Sequence, residues 1–304
     1  MTILISGGSG YVGSVLCKDL LNLGYRVICL DTLVKGDGDS LLPLISNQNF
    51  EFINMSINSQ NIKKVLSRVD CIIHLAGLVG APKCKKDPVL SHTINVLGTK
   101  NIISNLSGQR LIFASTGSVY GALSEICTED SPLNPQSEYG IHKKIAEDMV
   151  TNYENSLAFR FATGCGVSPC MRTNLLVNNL VYEAVHHGAI SLFQAEAKRT
   201  FISVQDMSKA FMYAINHQGD YKVYNCGDNS MNASKRDIAE LIKQKVKCEV
   251  FYGDYFIDPD QRDYEVDYSR LNNSLGFKCC YNIEKVIDEL IPAVQLLNIE
   301  GRYA

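Results

Sequence analysis

No apolar run in the 304-residue chain approaches the roughly 18 residues that a membrane span requires. No basic segment precedes the first hydrophobic residues at Ile3 either, so neither an anchor nor a signal peptide is expected. A surplus of one charge is missing as well. The 29 basic and 32 acidic residues leave a formal net charge of −3, which gives no electrostatic footprint for nucleic acid or an acidic membrane. The one basic cluster, Lys83 to Lys86, reads as a solvated loop. Eleven cysteines include no Cys-x-x-Cys pair, and Cys17, Cys29 and Cys71 fall inside periodic apolar segments. They read as small buried residues of a reducing cytoplasm, and no disulfide framework is expected. The six histidines show no metal-ligand spacing, so no metal is expected; His186 and His187 precede Gly188 at a helix end, where a cation suits the dipole. Internal repeats, low-complexity tracts and linkers are absent.

What is present is alternation. Strand-like runs at 2–5, 26–30, 50–53, 71–75, 110–114 and 157–161 alternate with helical stretches at 11–23, 60–67, 87–106 and 138–153. This is the pattern of a parallel sheet with helices on both faces. After residue 165 the texture changes to a helix at 174–187, a strand pair around 190–193 and 201–204, and helices near 206–216, 234–246 and 283–297. The expected fold is α/β: a doubly wound parallel Rossmann-type sheet over 1–165, with a smaller C-terminal α/β lobe over 166–304. The segment near 220–227 is expected to return to the main sheet.

The first strand runs into Ser6-Gly-Gly-Ser-Gly-Tyr-Val-Gly-Ser14, where Gly7, Gly10 and Gly13 fall three apart, and a helical spacing follows. The first turn of a helix carries backbone N–H groups without internal partners and the positive end of its dipole, so a phosphate is favoured there. Glycines let the chain turn sharply and let a pyrophosphate approach bare amides. Asp31 ends the second strand, 18 residues beyond Gly13. A carboxylate at that place holds adenosine ribose hydroxyls and repels the extra phosphate of NADP, which makes NAD the expected cofactor. Lys35, nearby, is a flexible cation that could meet a phosphate.

In doubly wound folds ligands lie beyond the carboxyl ends of the strands. There the chain places His74-Leu-Ala-Gly77, small residues that let a cofactor lie close to the backbone, and the hydroxyl-rich Ala114-Ser-Thr-Gly-Ser-Val-Tyr-Gly121. Tyr139 and Lys143 stand four apart at the start of a helical stretch, on one face. A free phenol titrates near pH ~10, but a neighbouring ammonium and a positive nicotinamide ring favour the tyrosinate. Such a base takes a proton from a substrate hydroxyl while the adjacent hydride leaves for the cofactor, with Thr116 holding the same hydroxyl.

Taken together these segments resemble the extended short-chain dehydrogenase/reductases, in the NAD-dependent epimerase/dehydratase branch that acts on nucleotide sugars, over nearly the whole chain. The resemblance rests on His74 to Gly77, Asn95-Val-Leu-Gly-Thr99, the loop 115–121, and the Tyr139 and Lys143 pair. It implies Thr116, Tyr139 and Lys143 as catalytic residues. It implies cofactor contacts from Gly7, Gly10, Tyr11, Val12, Gly13, Asp31, Lys35, Ser56, Ile57, Leu75, Ala76, Gly77, Asn95, Ala114, Ser115 and Phe161, besides Tyr139 and Lys143. Substrate contacts are implied from Val79, Thr116, Gly117, Ser118, Tyr139, Asn178, Arg199 and Arg262; the planar fork of Arg suits a diphosphate. The resemblance also implies a nucleotide-diphosphate sugar as ligand and a homodimer formed through the helix bearing Tyr139, where Ile141, Ile145, Ala146 and Met149 offer an apolar stripe that must also cover the sheet.

Two departures shape the functional reading. Ser56 stands where related enzymes place an Asp against adenine, which weakens that contact. In 4,6-dehydratases of the family an Asp-Glu pair follows the Thr; here Gly117 and Ser118 do, and neither titrates usefully. Glu125 or Cys84 could substitute from another loop. The expected activity is therefore epimerisation through a 4-keto sugar, ahead of a net 4-dehydrogenase or 4-ketoreductase, a 4,6-dehydratase, or a module that senses NAD(H) without turnover. The loops at 78–86 and 163–170 are expected to line the pocket.

Overall fold

Continuous apolar runs such as Ile3-Leu-Ile5 can be strands only where both faces are covered, because alternate side chains point to opposite sides. In the computed structural model, which describes residues 1–34, 38–121, 125–217, 221–253 and 265–297, all three side chains are fully buried. The first part of the chain forms β1 (Thr2–Ser6), α1 (Tyr11–Asn22), β2 (Arg26–Asp31), β3 (Phe50–Asn54), α2 (Ile62–Leu66), β4 (Cys71–His74), α3 (Ala81–Lys86), α4 (Pro88–His92), α5 (Thr99–Ser104), β5 (Arg110–Thr116), α6 (Glu138–Thr151) and β6 (Ser156–Phe161). The remainder forms β7 (Thr163–Cys165), α7 (Leu176–His187), β8 (Ala189–Phe193), β9 (Lys198–Ser203), α8 (Val204–Ile215), β10 (Val223–Cys226), β11 (Asn232–Ser234), α9 (Lys235–Lys245), β12 (Glu249–Gly253), α10 (Ser269–Leu275) and α11 (Ile283–Gln295).

Seven strands make one parallel sheet in the order β10-β6-β5-β4-β1-β2-β3. The order reverses between β1 and β4, and a crevice opens there beyond the carboxyl ends of the strands. Alternation along each strand divides the core. Ile3, Ile5 and Phe159 pack with Leu16, Leu20 and Phe211 of α1 and α8 on one face. Leu4, Ile28, Ile72, Leu111 and Phe113 pack with Leu66, Ile102, Ala146 and Val150 on the other. Fully burying each Val, Leu, Ile or Phe side chain among these contributes about 1.5–3 kcal/mol. A separate core forms from Val177, Val181, Phe201, Ile238, Ile242, Ile287 and Leu290 in the C-terminal half.

Local signals set the helix ends. Ser137, Ser203 and Ser234 accept from the backbone N–H three residues on and cap α6, α8 and α9, with Asp237 completing a capping box. Gly188 closes α7 at φ +64°, a conformation glycine adopts without strain. Three expectations are corrected. Strands β8 and β9 do not pair with one another; β8 pairs with β12, and β9 with β7 and β11. Within the expected loops, residues 81–86 are helical as α3 and 163–165 form β7. The helix expected at 87–106 is interrupted by a π-helical stretch, Thr93–Gly98, between α4 and α5. Among the described residues no helix is long and apolar enough to cross a membrane.

Candidate active site

The glycine turn follows β1 and lies at the crevice between β1 and β4. Gly7, at φ +76°, lies so close to the segment following β4 that an added Cβ would come within 2.7 Å of the Ala76 nitrogen. At Gly13 an added Cβ would lie 2.3 Å from the Gly7 carbonyl oxygen. Gly10 is less tight, at 3.2 Å from the same oxygen. Gly8, which its spacing did not single out, is also tight, against a side chain: its Cβ would meet the Cys29 sulfur at 2.5 Å. Helix α1 begins here with neither a side-chain cap nor an acidic residue in its first turn, leaving the N–H groups directed at the crevice for an anion.

Asp31, at the end of β2, accepts from the Ser9 N–H at 3.1 Å and the Leu33 N–H at 3.0 Å, one on each oxygen. Each oxygen keeps a lone pair for a hydroxyl donor. At the end of β3, Ser56 is exposed and accepts from the Asn58 N–H, while Ile57 is buried. Past β4, Leu75 N–H donates to the Ser6 carbonyl, and Asn95, in the π-helical stretch, holds Leu78 at both its N–H (2.8 Å) and its carbonyl (2.9 Å). The half-buried Ala76, Gly77 and Val79 belong to this loop. Beneath it His74 is buried between Ser6 at 2.7 Å and Thr99 at 3.0 Å. Thr99 donates its own proton to the Asn95 carbonyl, so Nε2 of His74 donates to Thr99 and Nδ1 accepts from Ser6. Burial, aided by the Lys143 charge, pushes His74 down to about 3 and keeps it neutral.

Strand β5 delivers Thr116, whose hydroxyl accepts from the Ser118 N–H and donates to the Ser118 hydroxyl, each at 3.2 Å. Gly117 and Ser118 are buried with it. Helix α6 presents Tyr139, half-buried, and Lys143, buried, with the Lys143 Nζ 3.8 Å from the centre of the Phe113 ring. Burial pulls Lys143 down to about 7, against the opposing influence of Glu147 and of Cys84 in α3. Cys84 is buried, donates to the Leu78 carbonyl, and so lies at the site, whereas Glu125 is exposed.

Several expected contacts take other partners. The Ser115 hydroxyl donates to the buried Glu147 at 2.5 Å, because the β5 pleat turns it away from Thr116 toward α6. The Phe161 ring packs on Phe159 and Phe211 in the core, so its contact with a cofactor falls to the backbone. Val12 packs against the core. The Tyr11 hydroxyl reaches across to the Gly166 carbonyl at 2.7 Å, and Ser168 donates back to the Tyr11 carbonyl at 2.6 Å. Asn178 is fully buried; its oxygen accepts from the Gly166 N–H and its nitrogen donates to the Arg172 carbonyl, so its amide holds the 166–172 loop and is not presented to a diphosphate. Ala114 is half-buried beside Ser115, and Arg199 is buried in β9, donating to the Lys198 carbonyl. Lys35 and Arg262 lie outside the described residues. The Glu147 and Arg160 pair was missed, although Glu147 stands four residues beyond Lys143 and thus on the face of α6 already singled out.

A cradle that any Cβ would fill, an uncapped helix start and a carboxylate at the tip of β2 fit a dinucleotide. A profile of the NAD dependent epimerase/dehydratase family matches residues 3–227, and the chain belongs to that family. It is an NAD-dependent enzyme, with NAD as cofactor. UDP-glucose 4-epimerase 1 of Oryza sativa subsp. japonica is 33% identical over 161 residues, covering 49% of this chain and 45% of the rice protein. UDP-glucuronic acid decarboxylase 1 of Xenopus tropicalis is 28% identical over 307 residues, 95% of this chain and 71% of the frog protein. The crystal structure of UDP-glucuronic acid 4-epimerase from Bacillus cereus, in complex with UDP-glucuronic acid and NAD, shares the fold. It superposes with a TM-score of 0.86 at 22% identity, covering 97% of this chain and 99% of that one.

Proposed function

We propose that the protein is a nucleotide-sugar 4-epimerase that works through a 4-keto intermediate. Tyr139 takes the proton of the sugar C4 hydroxyl, Thr116 orients that hydroxyl, and the Lys143 cation favours the phenolate. NAD, held by these residues, would supply the hydride acceptor at C4 and the donor for the return to the same carbon. Turning of the keto-sugar before that return inverts C4. The Gly7 to Gly13 turn holds the pyrophosphate, Asp31 the adenosine ribose, and the loop 75–79 the nicotinamide half. Arg199 and Arg262 meet the substrate diphosphate, a task the geometry of Asn178 does not favour.

One observation carries this reading over its neighbours. Between Thr116 and Tyr120 the chain has Gly117, Ser118 and Val119, so the three residues that follow Thr116 offer no acid or base to remove water across C5 and C6 or to reprotonate C5 after loss of a carboxyl group. The resemblance to a decarboxylase over 95% of the chain favours the second reading, decarboxylation of a uronic acid through the same 4-keto species. The test is mass spectrometry of products from UDP-, GDP-, CDP- and dTDP-sugars, with and without a C6 carboxylate, in the presence of NAD. An isomer of unchanged mass supports epimerisation. Loss of carbon dioxide, of water or of two hydrogens identifies a decarboxylase, a dehydratase or a dehydrogenase and overturns the leading reading.

Residues 1–165 with the β10 segment serve as the cofactor lobe and 166–304 as the substrate lobe, with α8 and α10 of the second part packing on the main sheet. Ile141 and Ile145 are each 38% exposed on α6, Val89 and Leu97 are exposed on the helical stretches that pack against α6, and these apolar side chains support a homodimer. The eleven cysteines are free thiols, which supports a reducing cytoplasm.

A further inference from the structure

We propose that Glu147 is a positioning residue for this reaction: a buried carboxylate that keeps the Lys143 side chain charged and ties the helix bearing Tyr139 and Lys143 to the strand end bearing Thr116. The proposal rests on the reading of Tyr139 as the base. Tyr139, Lys143 and Glu147 recur every four residues along α6, so all three lie on one face. Glu147 is 2% exposed, and its carboxylate is saturated. Ser115 donates to it at 2.5 Å, Arg160 Nε at 3.0 and 3.2 Å, and Arg160 Nη2 at 2.7 Å.

Each donor comes from a different element. Ser115 precedes Thr116 in β5, and Arg160 lies in β6, so one carboxylate joins β5, β6 and α6. Arg160 extends the link, with Nη1 donating to the Tyr120 hydroxyl and to the Glu129 carbonyl, both at 3.0 Å. Tyr120 donates in turn to Asn225 Oδ1 at 2.6 Å, and the Asn225 N–H donates to the Glu129 carboxylate at 2.8 Å. The segment 115–120 that carries Thr116 is thereby fixed at both ends.

A buried Arg and Glu pair is not in itself a device for stability, since apolar residues of similar size often serve as well or better. Its position relative to Lys143 supplies the reason for it. The groups facing Lys143 are Tyr139 and Glu147 from α6, Cys84 from α3, His74 from β4 and the Phe113 ring from β5. His74 is neutral and Cys84 is a buried thiol donating to a carbonyl, so Glu147 is the group in this set that brings a negative charge before Tyr139 ionises. Burial brings Lys143 close to neutrality, where the field of Glu147 decides whether it stays an ammonium. Without that carboxylate the lysine becomes neutral and the phenolate of Tyr139 loses its cation. Arg160, left without its carboxylate, pushes in the same direction.

The test is a pH titration of the NAD-loaded protein carrying ¹⁵N-lysine, followed by NMR at the Lys143 Nζ resonance, identified by its loss in Lys143→Arg. Glu147→Gln is compared with the double variant Glu147→Gln, Arg160→Met, which leaves no unpaired buried charge. In both, the Lys143 midpoint is expected to fall by about one pH unit or more, a tenfold change in proton affinity. The kcat for the sugar reaction should fall with KM little changed, and its pH profile should move to higher pH. Where the Gln variants do not fold, Glu147→Asp decides, because the shorter side chain draws the carboxylate away and the midpoint must still fall. An unchanged Lys143 midpoint in a folded variant overturns the proposal. A shifted midpoint in a protein that turns over no nucleotide sugar supports the hold of Glu147 on Lys143 and refutes the assigned reaction instead.

Discussion

The side-chain amide of Asn95 grips one residue, Leu78, at both ends: Oδ1 accepts from its N–H at 2.8 Å and Nδ2 donates to its carbonyl at 2.9 Å. The π-helical stretch sets Asn95 where it can do so, and Gly77 makes room, since a Cβ there would stand 2.8 Å from Asn95 Oδ1. Asn95→Leu therefore leaves two backbone groups without partners, at a cost of about 1–3 kcal/mol for each that stays buried. Calorimetric titration is expected to show NAD binding weakened at least tenfold, with a lower melting temperature. Asn95→Asp, which keeps the acceptor, should fall between.

The glycines of the turn are not equivalent. Gly13→Ala puts a methyl 2.3 Å from a backbone oxygen that cannot move without dismantling the turn, whereas Gly10→Ala meets the same oxygen at 3.2 Å. NAD binding should be abolished in the first variant and weakened severalfold in the second. Equal loss in the two would contradict the assignment of the tight contact to Gly13.

Asp31 orders the turn through Ser9 and Leu33 and directs its charge beyond β2. Asp31→Ser removes that charge from the place where the extra phosphate of NADP would sit. Fluorescence titration should show weaker NAD binding and an NADP to NAD affinity ratio raised by tenfold or more.

His74 makes the fold acid-sensitive. Its folded value, about 3, lies below the ordinary value near ~6.5, so the unfolded chain binds the extra proton. Its contribution is complete above about pH 6.5 and is lost progressively as the pH falls toward 3, by a few kcal/mol in all. Denaturant unfolding from pH 7 to 4 should give a steeper loss of stability for the wild type than for His74→Gln.

Much of this was legible in the sequence, and for identifiable reasons. Parallel strands buried on both faces betray themselves as runs such as Ile3 to Ile5, and the turn from Gly7 to Gly13 follows from sterics within one segment. The pairing of β8 with β12 was not legible, because it joins residues some sixty apart and no local signal fixes a partner. Nor was the fate of Ser115 or Asn178, whose hydroxyl and amide look identical in sequence whether they face a ligand or a neighbouring element. Glu147 carried the right spacing but no sign of burial; only the meeting of β5, β6 and α6 supplies that.

The central claim is reversible oxidation at C4 by Tyr139 and its partners, and one measurement tests it most directly. The wild type and Tyr139→Phe are incubated with NAD and a nucleotide hexose carrying deuterium at C4, and the product is analysed by NMR and mass spectrometry. The account predicts a C4 epimer that retains its deuterium in the wild type. The variant, with NAD still bound, should lose most of its turnover. An epimer with hydrogen from solvent at C4, or a Tyr139→Phe enzyme of near-normal rate, would contradict it.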